Sequence, residues 1–98
     1  MPTFTFRGEV FPWDTDGPSW RFVRVPVAIA KDIRALPVEP RGFGSIRVEV
    51  RIGETTWHTS LFPEKASGSY VVAVKKDVRE REGINDGDTV TVAITPEL

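Results

Sequence analysis

The sequence contains no cysteine, so disulfides, zinc ribbons and thiol chemistry are excluded, and nothing ties the chain to an oxidising or a reducing compartment. Histidine occurs once. A single imidazole without thiolates cannot build the clusters that hold transition metals, and neither a metal nor a cofactor is expected. Long apolar runs are missing too. Met1 to Val10 alternates polar and apolar residues and carries Arg7 and Glu9, which suits neither a signal core nor a membrane span. Cytoplasmic residence, with no membrane partner, is the resulting expectation. Nor does one sign of charge dominate: thirteen basic residues stand against fourteen acidic ones, a net charge of -1. No whole-molecule field draws the protein to phosphate backbones or anionic lipid, so any such partner must be met by a local patch.

The residues that are present suit one folding unit spanning 1–98. Hydrophobic residues make up 40% of the chain, with three Trp, one Tyr and six Phe to fill volume, which is ordinary for a globular domain and too much for a disordered one. The clearest strand is Ser45 to Ile52, where Ile46, Val48, Val50 and Ile52 alternate with Arg47, Glu49 and Arg51. Thr89 to Ile94 repeats the pattern after the turn-forming Asn85-Asp86-Gly87-Asp88. Thr3 to Val10, Trp20 to Val27, Thr55 to Phe62 and Ser69 to Lys75 are rich in β-branched and aromatic residues between Gly and Pro clusters, which brings the expected number of strands to about six. Two short helices interrupt them. Ile29, Ile33 and Leu36 recur at helical spacing in Ala28 to Leu36, and Lys76 to Glu82 carries Val78 as its inward anchor with Gly83 as a left-handed stop.

A repeat is half hidden in this order. Val25 with Ile29 matches Val74 with Val78, and Ile46 to Val50 matches Val90 to Ile94, so segments 20–50 and 69–94 each read strand, short helix, loop, strand. Neither unit covers its own apolar face. Pairing them about a pseudo-twofold axis would close a shared barrel, so the expected fold is mainly β, a double-split barrel with two short helices. Such a barrel can close within one chain, so a monomer is expected, with a homodimer as the alternative.

The run from Val74-Lys75-Lys76-Asp77-Val78-Arg79 through Gly83-Ile84-Asn85-Asp86-Gly87-Asp88 resembles the swapped-hairpin half of AbrB- and MazE-type transcription factors. Over nearly its whole length the chain also resembles the bacterial family called domain of unknown function 1905. The matching residues are Trp20 to Pro26, Ile33-Arg34-Ala35-Leu36, Gly42-Phe43-Gly44-Ser45, Thr56-Trp57, Thr59-Ser60-Leu61-Phe62-Pro63 and Gly68-Ser69-Tyr70. The resemblance implies an AbrB-like double-split barrel made from one chain instead of two, and it implies no established activity.

Three functional readings follow from the residues. His58 and Ser60 share a strand face, and Glu54 or Glu64 could orient a Ser-His pair, yet an i, i+2 pair on a strand seldom gives base-to-hydroxyl geometry and no oxyanion loop is evident. No catalytic residue is therefore assigned. Asp14-Thr15-Asp16-Gly17 has the opening of a calcium loop, but the twelfth loop position is Val25 where a bidentate Glu is needed, so it reads as a turn. Duplex DNA could be met by Arg21, Arg24, Lys75, Lys76 and Arg79, although Asp77, Glu80 and Glu82 are interleaved with the last three. The favoured reading is a noncatalytic module that binds a small molecule or a protein. Within Thr55 to Phe62, Trp57 and Leu61 share one face while His58, Ser60 and Phe62 share the other, so an aromatic must lie near the surface. A pocket of Trp57, Ser60, Arg47, Tyr70 and Thr59 is the corresponding site expectation.

Overall fold

The computed structural model describes residues 1–13 and 20–97; the calcium-loop-like Asp14 to Gly17 lies outside them. The alternating segments form seven antiparallel strands: β1 (Phe4–Glu9), β2 (Phe11–Pro12), β3 (Arg21–Arg24), β4 (Ile46–Ile52), β5 (Thr55–Glu64), β6 (Ser69–Ala73) and β7 (Thr89–Pro96). Helix α1 (Val27–Arg34) follows β3 and helix α2 (Lys76–Glu82) follows β6. All seven strands belong to one sheet in the order β1-β7-β4-β5-β6-β3-β2. The two edges of that sheet are consecutive pieces of the same segment. Only Val10 separates β1 from β2; its N–H donates to Asp88 O and its carbonyl accepts from the Gly87 N–H. The N-terminal segment thus passes from β7 at one edge to β3 at the other and nearly closes a barrel. At the seam, a Cβ on Gly8 would lie 2.4 Å from Val23 Cγ1, so the two strands approach this closely because residue 8 has no side chain.

Two-residue alternation sets the inside. Ile46, Val48, Val50 and Ile52 of β4 are buried while Arg51 is exposed, and Leu61, Val72, Val92 and Ile94 join them in a single apolar cluster. Fully burying such a side chain is worth about 1.5–3 kcal/mol, which makes this cluster the main source of stability. The helices cap it. Ala30 and Ile33 anchor α1 and Val78 anchors α2. α1 stops at Arg34, short of the expected Leu36, because Pro37 pushes the residue before it out of helical φ/ψ. α2 has the expected bounds, ended by Gly83 at φ +64°.

The ladders carry the repeat in their register. Val23 pairs with Val72, 49 residues on, and Phe22–Ala73 and Arg24–Val71 flank that pair reciprocally. Val50 pairs with Ile94, 44 residues on. These are the offsets at which the sequence segments match, so each ladder holds one residue paired with its own counterpart, and the pairs on either side of it are exchanged reciprocally. The relation extends to the outer neighbours: Trp57 of β5 faces Val50 as Phe4 of β1 faces Ile94. The N-terminal strand therefore occupies beside β7 the place that β5 occupies beside β4.

Candidate ligand-binding groove

β5 and β6 pair only from Leu61–Val72 to Glu64–Ser69. Beyond Leu61 and Val72 the strands part, as the chain leaves β6 through Val74 and Lys75 into α2. The parting opens a groove of about 540 Å³ lined by Trp20, Thr59, Phe62, Ala73 and Val74, with Arg21, Lys75 and Lys76 also on its walls. That volume lies in the range of small-molecule sites, about 300–1,000 Å³.

Strand parity explains the apolar lining. Phe62 follows buried Leu61, so it points outward; it pairs with Val71 of β6 and remains 44% exposed. Trp20 precedes β3 and is 59% exposed. Its indole stacks on Phe22 at 6.3 Å between ring centroids and 14° between planes. Trp13 meets the same Phe22 ring edge-on at 5.2 Å, and Phe11 packs at 6.3 Å. Phe22 is thus the hub of an aromatic layer on the outside of the barrel, and Trp20 carries that layer to the groove. Favourable offset and edge-to-face contacts hold the rings in place without burying them.

The charges divide into paired and unpaired groups. Arg21 is ion-paired with Asp86 and donates from Nη1 to Trp20 O at 3.0 Å. Arg24 forms a two-pronged hydrogen bond with Glu64, Nη2 to Oε2 at 2.9 Å, and its guanidinium lies 4.7 Å from the centre of the Phe11 ring. Those hydrogen bonds, followed by one involving Ser67, lower the Glu64 carboxyl to about pKa 2, and the same partner raises Arg24. Arg79 donates from Nε to Val74 O at 3.2 Å. Lys76 Nζ lies 4.0 Å from Glu80. Lys75 has no side-chain partner among the described residues, and among them no carboxylate lines the groove.

The five residues expected to form one pocket are not gathered into one. Trp57 and Thr59 lie on the inward-facing parity of β5, whereas Ser60 pairs with Arg47 on the outward one, where Arg47 Nη1 donates to Ser60 Oγ at 3.3 Å. Tyr70 is buried, with the Arg34 guanidinium 5.2 Å from its ring centre. Trp57 Nε1 is shielded from solvent and has no hydrogen-bond partner among the described residues. Of the five, Thr59 alone lines the groove, where it joins Arg21, Lys75 and Lys76 from the nucleic-acid set. Trp20 and Phe62, the groove's most exposed rings, belong to neither set; the parity argument already placed Phe62 outward. His58 pairs through Nδ1 with Glu97, and Nε2 lies 4.0 Å from Glu49. Both ring nitrogens face carboxylates, so neither is aimed at Ser60, and Glu64 is taken up by Arg24.

A barrel that its own N-terminal strand brings close to closure, with an aromatic groove where two of its strands part, defines a small single-chain β-barrel module. The sequence profile of the family described as domain of unknown function (DUF1905) matches residues 6–94, and the chain belongs to that family. A search among curated proteins finds no significant match. Among the described residues no helix is long and apolar enough to cross a membrane, and no group of three or more His, Cys, Asp or Glu could hold a metal ion.

Proposed function

We propose that the protein is a noncatalytic binding module that takes a small, ring-bearing ligand in the groove where β5 and β6 part. The observation that carries this reading is the pair of exposed rings, Trp20 and Phe62, that line one groove together with Ala73 and Val74. Neither ring is buried by the fold, and an apolar cleft with a few polar groups is the usual form of a ligand site. Thr59 adds a hydroxyl that can orient a ligand polar group.

Duplex DNA has weaker support. Three of the five cations proposed for phosphate contact are occupied within the barrel: Arg21 by Asp86, Arg24 by Glu64 and Arg79 by Val74 O. Two lysines remain, which would give a salt-dependence slope of only about -2 on logarithmic axes.

Residue-resolved NMR tests the groove. Titration with the neutral fluorophore N-phenyl-1-naphthylamine is expected to move the amide signals of Trp20, Thr59, Phe62 and Ala73 to Lys76, and to leave those of Arg47 and Trp57 in place. No saturable shifts, or shifts centred on Trp57 and Arg47, would overturn the assignment.

A further inference from the structure

Resting on the groove assignment above, we infer that the ligand is a flat ring bearing an anionic group, the ring held between Trp20 and Phe62 and the charge met by Lys75 and Lys76. The groove's charge is one-sided in a way the rest of the molecule is not. The chain as a whole carries a net charge of -1, yet the described lining contributes Arg21, Lys75 and Lys76 and no acidic residue. The guanidinium groups at this surface are committed: Arg24 to Glu64, and Arg21, within the lining itself, to Asp86. Among the described residues Lys75 is not, and Lys76 meets Glu80 at 4.0 Å, an exposed contact across one helical turn that is easily exchanged for a stronger partner. Both lysines follow directly on Ala73 and Val74 in the chain and line the same groove.

Position in the chain explains why these charges stay open. Lys75 sits at the N-cap of α2 with extended backbone and no side-chain cap hydrogen bond, and Lys76 is the first helical residue. Positive charge at a helix start opposes the macrodipole, so Lys75 does nothing for α2 and Lys76 offsets that cost only through its 4.0 Å contact with Glu80. Their consistent use is to receive negative charge from outside the fold. A long polyanion is disfavoured by the same count, because two lysines neutralise too few phosphates to hold one; a single carboxylate, sulfonate or phosphate on a ring is matched in number.

Two probes with the same ring skeleton separate this inference from the groove reading beneath it. 1-Anilinonaphthalene-8-sulfonate carries the anion, and N-phenyl-1-naphthylamine lacks it. Fluorescence titration at low ionic strength is expected to show the sulfonate bound about 5- to 10-fold more tightly than the neutral probe. In the Lys75→Gln/Lys76→Gln double variant the two affinities should converge, and an unaltered far-UV circular dichroism spectrum and thermal midpoint report that the variant is folded. Added salt, on the order of 0.5 M, should erase the preference in the wild-type protein and have little effect on the neutral probe. Equal affinities in the wild-type protein, or a preference that survives loss of both lysines, would overturn the anionic ligand and leave the groove standing. Absence of binding by either probe would remove the groove assignment and this inference with it.

Discussion

Gly8→Ala probes the closure on which the whole barrel depends. The new Cβ would sit 2.4 Å from Val23 Cγ1 and 3.3 Å from Phe6 Cε2, against an ordinary carbon–carbon separation of about 3.5–4.0 Å. Val23 is fully buried and cannot swing aside. Overpacking of this kind costs about 1–3 kcal/mol, and alanine's smaller loss of backbone entropy returns about 0.5 kcal/mol of it, leaving a net loss of about 0.5–2.5 kcal/mol. Val23→Ala alone deletes two buried methyl groups and should cost about 2 kcal/mol. If β1 lies against β3 as described, the double variant costs less than the sum, because the alanine methyl enters the space vacated by Cγ1. A coupling of about 1 kcal/mol or more is expected. Urea unfolding followed by tryptophan fluorescence resolves it, since a slope of about 1–2 kcal/mol per molar turns each kilocalorie into a midpoint shift of about 0.5–1 M. Additivity within about 0.5 kcal/mol would mean that the strands do not meet there, and the closed seam would have to be abandoned.

Two further outcomes concern single side chains. Glu64→Gln removes the carboxylate that Arg24 holds at a pKa of about 2; because Arg24 is 47% exposed, solvent screening reduces the stabilisation from the shift's nominal value of about 3 kcal/mol to about 1 kcal/mol. A depressed carboxyl stabilises above its unfolded pKa and loses that contribution as pH falls through its folded one, so the wild-type advantage should be full at pH 7 and fade from about pH 4.5 to about pH 2; an advantage that persists unchanged at pH 2 in chemical denaturation would refute the pairing. Phe43→Gly should raise the thermal midpoint, with a gain of about 0.5–1 kcal/mol, since Phe43 is 94% exposed and held at φ +60°, a conformation that costs a residue with a Cβ about 1 kcal/mol. A fall in the midpoint would mean that the ring stabilises the fold after all.

How much of this could be read from the sequence differs sharply between core and site. β4 was legible because one face is buried, which makes the period-two pattern of Ile46 to Ile52 unambiguous. α2 was legible for a local reason as well, the glycine stop at Gly83. β2 was not, because two residues carry no periodicity and Phe11–Phe22 pairing is a long-range event. The repeat offsets were visible in the valines, but that each offset is also a pairing register, and that β1 completes the second half, emerges only from the ladders. The site was half legible. Parity separated Phe62 from Trp57, yet parity cannot show where two paired strands diverge, and that divergence beyond Leu61–Val72 makes the groove. Lacking it, the expected pocket drew Trp57 and Arg47 together although they lie on opposite faces. The basic set was limited for a related reason: sequence spacing cannot reveal that Asp86 and Glu64, 65 and 40 residues away, neutralise Arg21 and Arg24.

The internal relation also supplies a control for the groove. Thr59 faces Val48 of β4, and its counterpart Phe6 faces Val92 of β7; Phe6 is buried and belongs to the core, while Thr59 remains half-exposed in the groove wall. One fold therefore accommodates a phenylalanine at this position, where the ring fills space, and a threonine at the other, where the space stays open. Thr59→Phe transplants the filling residue. Added apolar contact should leave the stability unchanged or raise it by up to about 1 kcal/mol, as burial of part of a ring predicts, while N-phenyl-1-naphthylamine should lose at least about tenfold in affinity because its volume is taken. The two readouts must separate for the reasoning to hold. A variant that folds as well as the wild type and still binds the probe with undiminished affinity would show that the open position between β5 and β6 is not where ligands enter.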